Sequence, residues 1–392
     1  MTISPNQPES HAGGESRLRG RIADEIRRNG PIPFSRYMQM CLYEPELGYY
    51  SRLREQFGKA GDFYTSSDVH AVFGRLLARQ FEEMWRALDS PQGIDLIELG
   101  PGRGLFARDV LDWSAKQFPE FSRALRYALV EQSAHLRARL QERLAEHVAA
   151  ERARVFDSLE AAASTASENI IVFGNEFFDA LPVEVVDYRG GLRIGLENGK
   201  FVETFDGPSA AEAEFLDRYS VHPEAGERVE ATLVSLEWME RIAEAFRGKR
   251  GFLVAIDYGY TREEQLAGRH RDTLMSYRQH TVSASPYEAP GEQDITAHVN
   301  FTAIRERGVQ RGLEPVALLT QSQFLIGIGE ETQFADAFLE CKLPQERAKV
   351  ALQLKHLISP AGMGETFQVL LMSAGVAKVK AAGLSGLQLG RI

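Results

Sequence analysis

The sequence predicts an α/β protein built around a doubly wound, mostly parallel sheet. Two observations carry this prediction: short apolar segments alternate with helical stretches through the middle of the chain, and the first of these segments ends in a glycine-rich turn that opens a helix. The composition agrees, since the 392 residues are 44% apolar and 26% charged and can bury a large core.

The N-terminal part of the chain is predicted to be helical. Residues 1–17 are polar and rich in Gly, Pro and Ser, which is typical of a disordered tail. Leu18, Ile22 and Ile26 then recur every four residues, as on one face of a helix that ends before Gly30-Pro31. An ordered loop is predicted from Gly48 to Ser67. Helices are predicted at Leu18–Asn29, Phe34–Leu42 and Val69–Leu88.

Seven segments of the chain have the short apolar pattern of strands, and most are separated by helical stretches such as Leu105–Phe118. Such an alternation predicts a parallel sheet with helices on both faces. The predicted strands are Ile94–Leu99, Arg126–Glu131, Arg154–Phe156, Asn169–Phe173, Phe252–Asp257, Phe324–Gly329 and Thr366–Met372.

Two stretches interrupt the alternation. Residues 183–206 carry turn signals at Gly190-Gly191 and Asn198-Gly199, a spacing that predicts a small antiparallel meander. Residues 260–300 form a long polar segment, and loops of this length in a compact domain are commonly functional. We place insertions at about residues 183–245 and 260–315.

Charge, cysteine content and hydropathy exclude several classes of protein. The net charge of −10 argues against nucleic-acid binding, and Cys41 and Cys341 are too isolated for a disulfide framework or a structural metal site. No apolar run approaches the length of a membrane span, and residues 1–20 lack the features of a signal or transit peptide. We expect a cytoplasmic protein.

The sharpest motif is Glu98-x-Gly100-x-Gly102-x-Gly104. Glycines at this strand-to-helix turn let backbone N–H groups approach a ligand closely. A nicotinamide fingerprint would need glycine where Leu105 stands, and the Gly-Lys-Ser/Thr of a P-loop is absent. A carboxylate beside the turn suits the ammonium group of S-adenosylmethionine (SAM) better than a pyrophosphate. A purely structural tight turn is the alternative.

Further candidate cofactor residues follow the next strands. Glu131 is placed to accept both ribose hydroxyls, and Asp157 to meet the adenine amino group. In Asn175-Glu176-Phe177-Phe178, Asn175 is expected to face the cofactor and Glu176 the acceptor, with the two rings as walls. This segment is loosely like the Asn-Pro-Pro-aromatic loop of amino-group methyltransferases. A structural role remains the alternative for each of these residues.

An ordered set of motifs across most of the chain resembles the MidA family of SAM-dependent methyltransferases. The resemblance implies a class I methyltransferase fold, Rossmann-like with a seven-stranded mostly parallel sheet, in a domain at residues 91–392. It also implies an N-terminal helical cover at residues 18–90 and an inserted substrate region. The motifs are Gly30-Pro-Ile-Pro-Phe34, Tyr37-Met38, Tyr43 with Gly48-Tyr-Tyr50, Gly61-Asp-Phe-Tyr-Thr-Ser66, Glu98–Gly104, Asn175–Pro182, Asp257-Tyr-Gly259, Asp294–Val299 and Gln321–Leu325.

The resemblance implies methylation of a protein, which in mitochondrial members is symmetric dimethylation of an arginine in a respiratory complex I subunit. Glu176 is our first catalytic candidate, followed by Asp294 and His298, and no metal is expected. Gly61 and Thr65 belong to a loop expected to close over the cofactor. Two residues depart from the family pattern: Asn300 stands where the resemblance implies aspartate, and Asp272 where it implies glycine before Thr273-Leu274-Met275. Both lie in the region expected to bind the acceptor.

Two other functions stay open at this stage. One is a small-molecule O- or N-methyltransferase on the same fold, because folds do not determine substrates. The other is an assembly chaperone that binds SAM without turnover. By analogy with the family we also expect a possible homodimer and a protein substrate.

Overall fold

The computed structural model describes residues 12–51, 71–278, 281–282, 285–330 and 332–389, with side chains from Arg17 onward except at Thr281 and Val282. The α-helices are α1 (Ala12–Asn29), α2 (Phe34–Tyr43), α3 (Ala71–Ala87), α4 (Leu105–Gln117), α5 (Pro119–Ala124), α6 (Ala134–Arg143), α7 (Ala145–Ala149), α8 (Leu159–Thr165), α9 (Ala210–Tyr219), α10 (Leu233–Ala245), α11 (Arg262–Leu266), α12 (Phe301–Gln310), α13 (Gln321–Glu330), α14 (Ala335–Phe338), α15 (Pro344–Ile358) and α16 (Lys378–Ala381). Two 3₁₀ turns cover Tyr49–Ser51 and Ser385–Leu387.

The strands are β1 (Ile32–Pro33), β2 (Ile94–Leu99), β3 (Leu125–Val130), β4 (Ala153–Phe156), β5 (Asn169–Asn175), β6 (Glu184–Asp187), β7 (Gly190–Glu197), β8 (Lys200–Asp206), β9 (Val229–Ala231), β10 (Arg250–Tyr260), β11 (Met275–Arg278), β12 (Thr281–Val282), β13 (Asp294–Thr296), β14 (Val299–Asn300), β15 (Glu314–Thr320) and β16 (Phe367–Ala374).

The central sheet has the strand order β15-β16-β10-β5-β2-β3-β4, and β14 adds a short parallel pairing to the end of β10. The strands from β10 to β4 are parallel, whereas β16 is antiparallel to both β10 and β15. The predicted α/β architecture with seven strands, most of them parallel, is therefore confirmed.

Helices cover both faces of this sheet because alternate strand residues point to opposite sides. Leu96 and Phe173 pack in one apolar cluster with α3, α4, α13 and α15, while Ile97 and Val172 pack in another with α8, α10 and α12. The amphipathic helices α3, α10 and α12 thus belong to the central layers, although the sequence analysis placed them in the cover and the insertions.

The predicted meander forms a second sheet with the order β1-β7-β6-β9, and β8 pairs with β7. Strand β1, from the N-terminal part of the chain, pairs with β7, so that Ile32 lies opposite Ile194. Helices α1 and α2 pack on this sheet around a third apolar cluster that includes Phe34 and Tyr37. The N-terminal helices and the inserted strands therefore form one unit beside the central sheet.

One predicted strand is wrong: Phe324–Gly329 lies within helix α13. A short apolar run does not distinguish a buried strand from a buried helix, and here two glycines allow close packing of the helix. A Cβ on Gly327 would lie 2.6 Å from the backbone oxygen of Ser385. The seventh strand is instead β15, a half-exposed edge strand without a long apolar run.

At the N-terminus, α1 begins at Ala12, inside the segment predicted as a tail, and residues 1–11 lie outside the described residues. In the part of the chain that the structure describes, we find no helix with both the length and the apolar character of a membrane span.

Candidate functional site

A cleft of about 1320 Å³ opens at the carboxyl ends of β2, β3 and β5. Ligands of open α/β sheets bind at this edge, where the strand order reverses. Residues of the N-terminal unit, including Tyr43 and Tyr50, and Trp238 of α10 complete the walls. The volume exceeds the roughly 300–1,000 Å³ of ordinary small-molecule pockets, so the cleft has room for a cofactor and for part of an acceptor.

The glycine turn after β2 forms the floor of the cleft. Gly100, Gly102 and Gly104 have φ values of +62°, +50° and +71°, a backbone conformation that other residues adopt at a cost. A Cβ on Gly100 would lie 3.1 Å from Cδ2 of Phe177. Gly100 and Gly102 line the cleft, whereas Gly104, also predicted to bind the cofactor, does not line it and is the N-cap of α4. The turn leaves a shallow cradle that a side chain would fill.

Glu98 lies beside this turn and is 5% exposed. Its Oε2 accepts a hydrogen bond from the Tyr127 hydroxyl at 2.9 Å. Burial raises the pKa of Glu98 to about 8, and the bond from Tyr127 offsets only part of that effect. The carboxyl group is therefore mostly protonated near neutral pH, and an ammonium group in the cleft would stabilise its ionised form.

Glu131 follows β3 and lines the same cleft. Its Oε1 accepts from the backbone N–H of Ser133 at 2.7 Å, and burial raises its pKa to about 7. A partly buried carboxyl at this strand end can accept the hydroxyls of a ribose. Asn175, at the end of β5, also lines the cleft and donates from Nδ2 to Oε1 of Glu176 at 3.1 Å.

The prediction that Asp157 lies at the cofactor site is wrong, and two other predicted cofactor residues are not described. Asp157 is exposed, accepts from the Ser158 hydroxyl at 2.9 Å, and does not line the cleft. Gly61 and Thr65 lie outside the described residues.

The loop after β5 is held by a carboxylate beneath it. Oδ2 of the fully buried Asp257 accepts from the backbone N–H groups of Phe177, Phe178 and Asp179 at 3.0–3.2 Å. Glu176 precedes these residues with φ +50° and donates its N–H to the Ile256 oxygen at 2.9 Å. A positive φ at a residue other than glycine is typical of functional sites, and here the Asp257 contacts maintain it.

Asp179 lies within the motif Asn175–Pro182, and the sequence predicts no separate role for it. It is 4% exposed and lines the cleft. Its Oδ2 accepts from the Tyr258 hydroxyl at 2.5 Å, whereas its buried Oδ1 has no hydrogen-bond partner within the described ranges of the chain. Burial raises the pKa of Asp179 to about 6. Sequence spacing offered no signal for this, because the missing partner results from tertiary packing.

Of the other two predicted catalytic residues, the structure brings only Asp294 to the cleft. Its Oδ1 accepts from the Tyr50 hydroxyl at 2.8 Å. His298 does not line the cleft: its Nδ1 lies 3.3 Å from Nδ1 of His270, and its ring packs edge-on against Tyr258. Burial lowers the pKa of His298 to about 4, so the ring is neutral near neutral pH.

The two departures from the family pattern have structural explanations. Asn300 is fully buried and caps α12, since its Oδ1 accepts from the Ala303 N–H at 3.0 Å while its Nδ2 donates to the Tyr219 oxygen at 2.8 Å. Asp272 has φ +54°, a conformation that favours glycine and that Asp tolerates. Neither residue lines the cleft.

Comparisons with known proteins agree with this geometry. Residues 76–318 match a family model described as "Putative S-adenosyl-L-methionine-dependent methyltransferase". A Drosophila melanogaster relative named as a mitochondrial protein arginine methyltransferase is 31% identical, over 96% of this chain and 90% of its own length. The human protein of that name is 26% identical, over 88% and 80%. The crystal structure of a Burkholderia thailandensis protein bound to S-adenosyl-homocysteine (SAH) superimposes with a TM-score of 0.80 at 30% identity, covering 97% of this chain and 98% of that one.

Proposed function

The chain belongs to the MidA family of SAM-dependent methyltransferases, and from this premise we propose that it methylates a guanidino nitrogen of an arginine in a partner protein. The enzyme class and the cofactor follow from the family. We propose in addition that the acceptor is a protein, that the methylated residue is an arginine, and that individual residues of the cleft have the roles given below.

The observation that carries the proposal is the set of carboxylates at one end of the cleft. Glu176, Asp179 and Asp294 all line it. The pKa of Tyr43 is raised mainly by burial and further by the charges of Asp294 and Asp179, so Tyr43 lies near both carboxylates. In the described part of the chain, Asp179 has no ion-pair partner. Such a site favours a cationic acceptor, and a guanidinium is cationic at neutral pH.

The residues around the glycine turn fit the cofactor. Glu98 would pair with the ammonium group of SAM, and Glu131 would accept hydrogen bonds from the ribose hydroxyls. The cradle at Gly100 and Gly102 leaves space for the methionine moiety to lie against the backbone. Bound there, SAM supplies an electrophilic methyl group on a sulfonium, which is already a good leaving group. The work left to the chain is chiefly positioning.

We assign the proton acceptor to Glu176. A guanidinium must lose a proton from the attacking nitrogen for its lone pair to become available, and a carboxylate within hydrogen-bond reach serves as the base. Asp294, held by Tyr50, would orient the remaining N–H groups. His298 is neutral and packs against the ring of Tyr258, so we do not include it among the reacting residues.

The identity of the partner protein is proposed from the family resemblance alone. A subunit of a respiratory complex is the first acceptor to test. The curated relatives carry "mitochondrial" in their names, and a cytoplasmic location and a homodimer stay predictions for this chain.

The test is transfer of a labelled methyl group. Purified protein and SAM labelled in the methyl group are mixed with lysate of cells that lack the gene, and the lysate is then separated into macromolecules and small molecules. We expect the label in the protein fraction, and none with the Gly100→Val variant. Label confined to the small-molecule fraction would support a small-molecule methyltransferase and overturn the proposal.

A further inference from the structure

We propose that Asp179 is the residue that binds the acceptor's guanidinium, with Tyr258 as its positioning residue. The inference rests on the proposed function and adds to it the contact by which the acceptor is recognised.

The first observation is an unsatisfied acceptor atom. Oδ1 of Asp179 is buried and has no hydrogen-bond partner among the residues that the structure describes, while the residue as a whole is 4% exposed and lines the cleft. Buried polar atoms in native folds almost always have a partner. A missing partner at a cleft wall therefore points to a ligand group that donates a hydrogen bond there.

The second observation is that Asp179 is held rigidly from three directions. Its N–H donates to Oδ2 of Asp257 at 3.2 Å, its backbone oxygen accepts from the Ala297 N–H at 3.0 Å, and its Oδ2 accepts from the Tyr258 hydroxyl at 2.5 Å. Ala297 lies three residues after Asp294, so this backbone bond also ties the two carboxylate-bearing segments together. The free oxygen is thus preorganised before any ligand enters.

The third observation concerns the charges around this atom. Asp179 interacts electrostatically with one carboxyl group and four phenols from β10, β11 and the N-terminal unit: Asp257, Tyr43, Tyr50, Tyr258 and Tyr277. Glu176 and Asp294 line the same cleft. No cation is among them in the described part of the chain. The arginines that line the cleft, Arg17, Arg36 and Arg103, are not among these groups. Beside Asp179 itself, an incoming cation would therefore meet carboxyl and phenol groups.

The shape of the cleft favours a planar cation over a compact one. The rings of Tyr43 and Tyr50 lie 5.7 Å apart at an angle of 32°, and the Tyr43 hydroxyl donates to the oxygen of Ala180, the residue after Asp179. A guanidinium presents five N–H donors in a plane and stacks on aromatic faces. In the proposed complex, one of these N–H groups donates to Oδ1 of Asp179 while the plane of the guanidinium lies against these rings.

The experiment measures binding of a guanidinium probe to the full-length chain saturated with SAH. N-acetyl-arginine methylamide is titrated by NMR, alongside the citrulline analogue, which has the same shape without the charge. Asp179→Asn is compared with wild type. Glu237→Gln is the matched control, because it removes one negative charge from an exposed residue of the same cleft.

We expect Asp179→Asn to weaken arginine-probe binding by about tenfold or more, and Glu237→Gln by less than about threefold, while both keep SAH affinity within about twofold. The citrulline analogue should bind wild type at least about tenfold more weakly than the arginine probe. If wild type binds the arginine probe and Asp179→Asn binds it equally well, the inference fails while the proposed function survives. If wild type binds the two probes equally, both fail.

Tyr258→Phe provides a second variant should Asp179→Asn not fold. Loss of the hydroxyl removes the hydrogen bond that holds down the pKa of Asp179. The pH midpoint of arginine-probe binding, near the Asp179 pKa of about 6 in wild type, should move upward in this variant. An unchanged midpoint would contradict a positioning role for Tyr258.

Discussion

Burial is the residue-scale property that makes the cofactor site respond to pH. Glu98 lies in an apolar setting that raises its pKa to about 8, yet its role requires a negative charge opposite an ammonium group. Cofactor binding should therefore ionise a carboxyl group that is mostly protonated in the free protein near neutral pH.

We predict that SAM binding at neutral pH releases protons, mainly from Glu98. The calorimetric enthalpy should then differ between buffers of low and high ionisation enthalpy, such as phosphate and Tris. Glu98→Gln keeps an acceptor for Tyr127 but should reduce the proton release and weaken SAM binding by about tenfold to a hundredfold, as expected for a lost charge-assisted hydrogen bond. Equal enthalpies in both buffers for wild type would contradict this assignment.

A second prediction distinguishes two effects of replacing a glycine in the turn after β2: backbone strain and loss of the space for the cofactor. Gly100→Ala and Gly199→Ala both place a side chain at positive φ, but a Cβ meets Phe177 at position 100 and nothing within 4 Å at position 199. Both variants should lose roughly 1–2 kcal/mol of unfolding free energy. Only Gly100→Ala should weaken SAM binding in a titration; a similar effect from Gly199→Ala would mean that strain alone explains the loss.

Single residues were predictable where a motif places them at a strand end. Four of these residues lie at the carboxyl ends of strands that meet at one sheet edge, and all four line the cleft: Glu98, Glu131, Asn175 and Glu176. Asp179 was not recognised, because its unpartnered oxygen depends on how three segments pack.

Among the elements, α13 shows why an apolar run can be assigned to the wrong type of structure. The segment has a short apolar run that resembles a strand, whereas Gly327 lets the 3₁₀ turn at residues 385–387 pack against the helix and Gly329 makes room for the ring of Phe334. The buried parallel strands were predictable because both of their faces are apolar. The edge strand β15, with several half-exposed residues, was not.

This packing predicts opposite effects of two helix glycines on stability. Gly327→Val would force its side chain against the Ser385 and Gly386 backbone and should lower the free energy of unfolding by about 2–3 kcal/mol. Gly20→Ala in α1 meets nothing within 4 Å and should be neutral or stabilise by up to about 1 kcal/mol. Denaturant unfolding checks both values, and similar losses in the two variants would contradict the packing described for α13.

The start of α12 yields a prediction about the departures from the family pattern. Asn300→Asp keeps the cap to Ala303 but removes the amide that donates to the Tyr219 oxygen, and it buries a charge. The variant should lose about 1–3 kcal/mol of stability in denaturant unfolding. Since Asn300 does not line the cleft, the pattern of methylated proteins should not change. A changed pattern would show that this residue does affect acceptor choice.

At the scale of the whole molecule, the cleft lies between the central sheet and the unit formed by the N-terminal helices and the inserted meander. Glu184 at the start of β6 accepts from the Ser35 hydroxyl of α2 at 2.5 Å, which ties the two parts of that unit together. Tyr43 and Tyr50 reach from it into the cleft. The sequence predicted the meander and the N-terminal helices but not their association, because the β1–β7 pairing joins segments far apart in the chain.

Buried carboxyls also determine how the stability of the ligand-free protein depends on pH. The folded-state pKa values of Glu98, Glu131 and Glu230 are raised to about 8, 7 and 7 by burial. The unfolded chain therefore binds fewer protons than the folded one between the unfolded and folded pKa values, and stability falls as pH rises through this window. We expect the melting temperature to decrease from about pH 6.5 to about pH 8, and less so in Glu98→Gln. A rising melting temperature would contradict these environments.

The decisive measurement is the identity of the methylated residue. Cells lacking the gene supply hypomethylated protein, to which purified enzyme and SAM carrying a trideuterated methyl group are added, and tandem mass spectrometry locates the heavy methyl groups. The carboxylate-lined cleft predicts that they are found on arginine side chains, and that Asp179→Asn reduces them while cofactor binding persists. Heavy methyl groups on lysine, histidine or carboxyl side chains, with arginine unmodified, would contradict the proposed acceptor.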